Sequence, residues 1–322
     1  MIETFFHLNL SQCILPSILL AFFLTCICLK LFMDKLPRDG GRKYAVNGAL
    51  SKGKPRGAGI IFILVFSIIT LCFIPYKTEY LIYIILIIAA MISGYLDDRS
   101  STPWGEYLKG FIDFIIAIST SYTYYNYHGS TVTLHLFKQT ITFSPFVFIL
   151  LATILIWVSI NVTNCSDGID GLCGTLSLAT LISMFIFIEN INMTSNYSYI
   201  LLIFASCLIG YLWYNASPSH LIMGDAGSRA IGLLIAITIL MSKDPFAYIP
   251  FALVLILNGG LGLIKVALLR FLKIKILKNT LTPIHDHLRK TLKWSDTQVV
   301  FRLTIIQTVI SAAYIVAITY LL

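Results

Sequence analysis

The sequence predicts an all-α protein that crosses a membrane many times. Hydrophobic residues make up 57% of the 322 positions, charged residues make up only 12%, and the mean hydropathy is +0.85. Soluble domains, by comparison, carry about 25% charged residues. Apolar runs of about 20 residues cross a bilayer as helices, because backbone polar groups cannot stay unpaired in lipid. We therefore expect a polytopic helical membrane protein.

About ten apolar segments are long enough to be read as transmembrane helices of one integral membrane domain covering 1–322. They are Cys13–Phe32, Gly59–Phe73, Leu81–Leu96, Leu108–Tyr122, Pro145–Ile160, Leu172–Ile188, Tyr199–Trp213, Arg229–Met241, Tyr248–Leu269 and Val299–Leu321. Pro250 and the run Asn258-Gly259-Gly260 predict a kinked or broken ninth helix. Between the fourth and fifth segments, Gly129–Phe143 alternates Thr and Val around a turn, which predicts a small external β-hairpin.

The basic residues indicate which way the chain crosses the membrane. Of the 23 Lys and Arg residues, all but Lys77, Lys138 and Lys243 flank the loops on one predicted side. Such a bias is typical of cytoplasmic loops and places both termini outside. A net charge of +8 would also suit a nucleic-acid partner. Its distribution beside the spans favours membrane orientation instead, so we expect no nucleic-acid partner.

The strongest polar clusters all fall on the predicted inner side. They are the adjacent Asp97 and Asp98, the stretch N-V-T-N-C-S-D-G-I-D-G over Asn161–Gly171, the pair Asn215 and Asp225, and the run His285, Asp286 and His287. Carboxylates at the end of a spanning helix are costly unless they face protein, water or an ion. Taken singly, each cluster is equally well read as a solvated turn. Together they favour one site.

Acidic residues in this arrangement suit a magnesium ion. Mg²⁺ takes a few carboxylates and fills its other positions with water and phosphate oxygens. The glycines on either side of Asp225, at 224 and 227, would let a diphosphate approach the backbone. Lys109, just inside the fourth span, would suit a phosphate. We therefore expect a catalytic site for a phosphorylated substrate.

Four motifs then carry a resemblance to a known family. The patterns N-x-x-N-x-x-D-G-x-D-G-L, M-G-D-x-G-S, G-x-x-D-D and P-I-H-x-H together resemble the polyprenyl-phosphate sugar-1-phosphate transferases. Within that superfamily, the last loop is similar to the phospho-N-acetylmuramoyl-pentapeptide transferases, the MraY family. There T-P-I-H-D-H is followed by Trp294–Arg302. The similarity covers nearly the whole chain, in order.

Three positions depart from that family's pattern. Asp286 stands where the family has the middle of three histidines. The first inner loop, Ser51–Gly59, reads S-K-G-K-P-R-G-A-G, so Lys52 matches the family lysine only through a one-residue gap, and Arg56 resembles the N-acetylglucosamine branch. Asp113 replaces a family glutamine four residues after the lysine at position 109.

The resemblance implies transfer of phospho-MurNAc-pentapeptide from UDP-MurNAc-pentapeptide to undecaprenyl phosphate, which yields lipid I and UMP. This is a step of peptidoglycan synthesis at the cytoplasmic face of the bacterial cytoplasmic membrane. It implies catalytic roles for Asp97, Asp98, Asp225 and His285. Mg²⁺ would be held by Asp225 with Asp97 and Asp98 close by, and Asp97 would deprotonate or orient the lipid phosphate.

The implied substrate-binding residues are Lys52, Lys109, Asn164, Asp167, Gly168, Asp170, Asn215 and His287. Membrane lipid is an expected partner, and a homodimer is among the expected assemblies. Two other functions stay open on the sequence. One is transfer of N-acetylglucosamine-1-phosphate for teichoic acid or O-antigen, favoured by Arg56. The other is a transporter or channel, which the placement of the acids at span ends on one side disfavours.

Overall fold

The computed structural model describes residues 10–41, 51–100, 102–191 and 196–321. Arg42 and Lys43, which belong to the basic residues of the first inner loop, lie outside the described residues. Within the described ranges the helices are α1 Leu10–Phe32, α2 Gly59–Phe73, α3 Thr78–Arg99, α4 Glu106–His128, α5 Pro145–Cys165, α6 Leu172–Asn190, α7 Asn196–Asn215, α8 Gly224–Met241, α9 over 248–272, α10 Ile284–Lys290 and α11 Asp296–Leu321.

Each of the ten predicted apolar segments lies within a helix, which confirms the all-α membrane fold. In the described part of the chain, eight helices are long and apolar enough to cross a membrane. Helix α2 is apolar but only 15 residues long. Helix α4 has 23 residues but is not among the eight, since it carries Lys109 and Asp113 and is less apolar. Eight of the about ten predicted spans therefore meet this criterion of length and composition.

Helix α8 forms the centre of the bundle. Nearly all its residues are buried, and it packs against α2, α3, α5 and α6. Helices α1 and α11, by contrast, lie at the periphery and expose large apolar side chains such as Leu15, Phe23 and Phe301. Exposed apolar residues are expected on helices that face lipid, where the solvent is itself apolar. The first turn of α8, with Asp225, therefore lies where several helices meet.

The predicted hairpin is present between α4 and α5. Strand β1, Thr131–Leu134, pairs antiparallel with β2, Gln139–Thr142. A short 3₁₀ turn, His135–Phe137, joins them, and Lys138 completes the connection with a left-handed backbone. The backbone N–H of Thr133 donates to the carbonyl of Lys243, which ties the hairpin to the segment after α8.

Helix α9 is broken where the sequence predicts. An α-helical piece, Tyr248–Leu255, contains a non-helical backbone at Ala252, two residues after Pro250. A π-helical turn, Ile256–Gly260, separates it from the second α-helical piece, Leu261–Ala267. The π-helical turn coincides with Asn258-Gly259-Gly260. Such single π turns often occur at functional sites.

Candidate active site

Asp98 joins α3 to the start of α8. Its side chain is fully buried. Its two carboxylate oxygens accept the backbone N–H groups of Asp225 and Ala226, each at 3.1 Å. The first N–H groups of a helix have no hydrogen-bond partner within the helix. A carboxylate accepts their hydrogen bonds and interacts favourably with the positive end of the helix dipole. Asp98 thereby fixes the first turn of α8 beside the end of α3.

Two glycines allow this close approach. An added Cβ at Gly94 would lie 2.3 Å from the carbonyl oxygen of Asp225, so α3 and α8 touch backbone to backbone there. Gly224 has a φ of +68°, and a Cβ on it would lie 2.2 Å from Oδ2 of Asp98. Both positions therefore require glycine, by packing at one and by packing and backbone conformation at the other.

Lys109, on the first turns of α4, links two of the predicted catalytic acids. Its ammonium forms an ion pair with Asp97 and lies 3.3 Å from Oδ2 of Asp225. The other oxygen of Asp97 accepts the backbone N–H of Trp104 at 2.7 Å. The lysine side chain is about a quarter exposed, at 26%. Lys109 therefore sits between α3 and α8 with a path to solvent.

Arg56 contacts three carboxylates from the loop before α2. Its Nε donates to Asp98 at 2.8 Å, Nη1 lies 3.3 Å from Asp39, and Nη2 lies 3.6 Å from Asp225. Burial on its own would lower the pKa of this guanidinium, but the charges of the three carboxylates outweigh it and raise the pKa above its usual value. Arg56 is therefore a permanent cation at the centre of the site.

The last turn of α5 reaches this cluster through Asn164. Its Nδ2 lies 3.5 Å from Oδ2 of Asp225, and its Oδ1 accepts the hydroxyl of Ser228 at 2.8 Å. Asp167 follows in the same turn and is half-buried, with its backbone N–H donating to the carbonyl of Asn164. The structure thus places Asn164 at the acids and Asp167 one turn away.

An ion pair ties the α5–α6 loop to the first inner loop. Asp170 accepts a bond from Nζ of Lys54 at 3.1 Å and another from the backbone N–H of Ser219 at 2.9 Å. Lys52, the lysine chosen by sequence matching, is exposed. The lysine of this loop that contacts a predicted binding residue is Lys54. Two isolated backbone bridges, from Pro55 and Arg56, fix this part of the loop, and no local pattern in the sequence reveals them.

His285 packs onto the α5–α6 loop. A Cβ added at Gly168 would lie 2.1 Å from Nε2 of His285, so the ring covers that glycine. Oδ1 of Asn258, in the π-helical turn of α9, lies 2.9 Å from the backbone nitrogen of His285 and 3.1 Å from its Nδ1. Nδ2 of Asn258 donates to Ser166 at 3.0 Å. Asn258 therefore joins the broken helix to both loops.

Two predicted binding residues point their polar atoms elsewhere. The amide of Asn215 is buried and accepts the backbone N–H of Gly171 at 2.8 Å while donating to the carbonyl of Leu221 at 2.9 Å. His287 turns back on its own segment, where Nδ1 lies 3.2 Å from Oγ1 of Thr291. In the described contacts, Asn215 connects two loops, and His287 stabilises the segment to which it belongs.

A buried ion pair lies behind the carboxylates. Arg229 of α8 is fully buried and pairs with Asp113 of α4 at 2.7 Å. The same guanidinium donates to the carbonyl of Lys109 at 3.1 Å and to Ser93 at 3.2 Å. Because Arg229 binds the backbone carbonyl of Lys109, it holds the backbone from which the lysine side chain extends. In the sequence, Asp113 is visible only as a departure from a family pattern. Its pairing with Arg229 could not be predicted from that pattern.

The donor types at the site suit magnesium. Asp97, Asp98 and Asp225 supply carboxylate oxygens, and Mg²⁺ usually uses one or two carboxylates with waters and substrate phosphates rather than a complete protein cage. The described residues contain no group of three or more His, Cys, Asp or Glu side chains arranged to hold a metal. Asp225 is the acid that both Lys109 and Arg56 approach, so a metal ion bound to it would compete with these two cations.

Comparisons with known proteins agree with the geometry. The family model described as glycosyl transferase family 4 matches residues 80–243, a range that contains Asp97, Asp98 and Asp225. A phospho-N-acetylmuramoyl-pentapeptide-transferase of Treponema pallidum is 38% identical, over 94% of this chain and 89% of its own length. Enzymes of the same name from Dictyoglomus turgidum and Clostridium botulinum are 29% and 27% identical, over 92% and 94% of this chain and 95% of their own lengths. The chain belongs to the phospho-N-acetylmuramoyl-pentapeptide transferase family.

Proposed function

We propose that this protein transfers phospho-MurNAc-pentapeptide from UDP-MurNAc-pentapeptide to undecaprenyl phosphate, releasing UMP and forming lipid I for peptidoglycan synthesis. The observation that carries the proposal is the convergence of Asp97, Asp98 and Asp225 with Lys109 and Arg56 at one end of the bundle. The name shared by the relatives supports the choice of substrates.

In the proposed reaction, a phosphate oxygen of the lipid attacks the sugar-side phosphorus of the nucleotide diphosphate. The bond from that phosphorus to the bridging oxygen breaks, and the bridging oxygen leaves with UMP. Bound Mg²⁺ would neutralise charge on the diphosphate oxygens. Arg56 would bind phosphate oxygens as a fixed cation, and Lys109 would bind them as a mobile one.

We assign a separate role to each of the three acids according to its contacts. Asp98 is saturated by Arg56 and two backbone N–H groups, so we assign it to holding the first turn of α8. Asp97 keeps one oxygen on Lys109 and is our candidate to orient or deprotonate the lipid phosphate. Asp225 is the proposed ligand for Mg²⁺, and His285, held over Gly168, is a proposed diphosphate contact.

We also propose that this end of the bundle faces the cytoplasm. The soluble nucleotide donor is made in the cytosol and the acceptor is anchored in lipid, so the reaction requires a site at the inner membrane face. The excess of Lys and Arg in the loops at this end supports the same orientation. A homodimer remains a prediction from the resemblance.

Donor choice provides the direct test. Purified protein is incubated with undecaprenyl phosphate and Mg²⁺ and with either UDP-MurNAc-pentapeptide or UDP-N-acetylglucosamine, and UMP is measured. We expect UMP release with the pentapeptide donor. With UDP-N-acetylglucosamine we expect no more UMP than an Asp225→Asn preparation releases. UMP release from UDP-N-acetylglucosamine alone would contradict the proposal. Such a result would favour the N-acetylglucosamine branch that Arg56 resembles.

A further inference from the structure

Two basic side chains occupy the positions where a divalent cation is expected. Nζ of Lys109 contacts both Asp97 and Asp225, and the Arg56 guanidinium spans Asp39, Asp98 and Asp225. The negative charge of these acids is thus partly compensated from within the chain. A buried carboxylate cluster without such partners would pay a large desolvation cost, so these cations stabilise it.

We propose that Lys109 is a placeholder cation, which a divalent metal ion displaces from Asp225 and which is then free to bind substrate phosphate. The inference rests on the proposed function for the identity of that phosphate, while the displacement itself concerns only this chain and the metal. A metal ion at Asp225 and an ammonium 3.3 Å from Oδ2 of the same carboxylate would be like charges sharing one ligand. Their mutual repulsion favours the departure of one of them from this carboxylate.

Lys109 is better suited to move than Arg56. Its side chain is a single flexible stem with a compact charge, and its backbone is held independently by Arg229. Arg56 is bound by three carboxylates, and its backbone N–H donates to the carbonyl of Pro37 at 2.8 Å. Moving the arginine would break several contacts together, whereas the lysine can turn outward around its stem.

Metal affinity without substrate tests the proposal. Mn²⁺ binding to purified protein is followed by the electron paramagnetic resonance signal of the free ion, so no turnover is needed. Lys109→Met keeps the length of the stem and removes the competing charge. We expect it to bind Mn²⁺ about tenfold more tightly or better, while Asp225→Asn loses this binding. A Kd for Lys109→Met equal to or weaker than that of the unaltered protein would overturn the proposal.

Lys54→Met is the matched control for the loss of one positive charge. Lys54 lies at the same end of the bundle but forms its ion pair with Asp170. Among the described residues it forms none with Asp97, Asp98 or Asp225. We expect its Mn²⁺ affinity to stay within about twofold of the unaltered protein. An equal gain for Lys54→Met and Lys109→Met would show a general charge effect and would contradict displacement.

A second measurement on the unaltered sequence guards against a variant that does not fold. Acetylation of lysine side chains is quantified by mass spectrometry with and without Mn²⁺. We expect Mn²⁺ to raise acetylation of Lys109 at least severalfold, to leave Lys54 unchanged, and to have no effect on Lys109 in Asp225→Asn. Unchanged labelling of Lys109 would overturn displacement. Both measurements are independent of the donor test, so a failed donor test with a positive Mn²⁺ result would refute only the reaction.

Discussion

Helix α3 carries acidic residues at both ends, and α8 has Asp225 in its first turn and Asp244 shortly after its last residue. The two ends of the bundle use these acids differently. At one end, Asp97 and Asp225 contact the basic side chains of Lys109 and Arg56. At the other end, Glu79 lies 2.6 Å from Nε2 of His128. Arginine and lysine are absent from the ion pairs of Glu79 in the described residues.

Asp244, just after α8, belongs to that second end. Its Oδ2 accepts the backbone N–H of His135 at 3.1 Å and lies 3.3 Å from the hydroxyl of Tyr314, while Oδ1 accepts the N–H of Ala247 at 3.3 Å. These contacts hold the hairpin against α11 and the start of α9. From this comparison we expect an acid at a helix end to be structural where fixed donors saturate it. We propose that Asp97 and Asp225, which partly exposed cations hold, take part in the reaction.

The largest expected effect separates the two ends of α8. Asp225→Asn keeps the side-chain shape and removes the charge, so turnover should fall at least about 100-fold, as expected for loss of electrostatic stabilisation of a developing charge. Asp244→Asn should keep turnover within about threefold but lower the Tm, since it weakens the hydrogen bonds of a buried carboxylate. UMP release and thermal unfolding of both variants check this. Equal losses of turnover would break the comparison.

The next effect concerns the ion pair behind the site. Arg229→Met leaves the carboxylate of Asp113 buried and unpaired, so the free energy of unfolding should fall by about 3–5 kcal/mol. Adding Asp113→Leu removes the stranded charge and should restore most of that loss. Unfolding of the two variants in one detergent measures the difference. A double variant as unstable as Arg229→Met would mean that the arginine acts mainly through Lys109 and Ser93.

A smaller effect is expected at the histidine of the reactive end. The histidines at the opposite end are held by carboxylates, whereas His285 is held by the amide of Asn258. Asn258→Ala removes the acceptor for His285, and turnover should fall about tenfold, which corresponds to a lost buried hydrogen bond. Asn258→Asp keeps an acceptor oxygen and should retain more activity. Full activity of Asn258→Ala in the UMP assay would remove this residue from the site.

Much of this architecture could be predicted from the sequence. Long apolar runs locate the helices because lipid permits few other backbone structures. Prolines and glycines locate the break in α9, and alternating Thr and Val locate the hairpin. The motif spacing also predicts that Asp97, Asp98 and Asp225 lie together, and the structure brings them together.

Helix ends and cross-chain partners could not be predicted in the same way. The predicted eighth span starts at Arg229, whereas α8 starts at Gly224, because Asp98 satisfies its first N–H groups from another helix. The third span likewise continues to Arg99. The partnership of Arg229 with Asp113 depends on the packing of α4 against α8, which no local pattern in the sequence encodes.

Sealed membrane vesicles test most directly the central claim, that the end bearing Asp97 and Asp225 performs the transfer at the cytoplasmic face. UDP-MurNAc-pentapeptide is charged and does not cross a sealed membrane, so the side on which it is added determines whether it reaches the site. UMP is measured in inverted and in right-side-out vesicles, each against vesicles containing Asp225→Asn as the baseline of the host. We predict UMP above that baseline in inverted vesicles, and in right-side-out vesicles only after permeabilisation. UMP release by intact right-side-out vesicles would contradict the account.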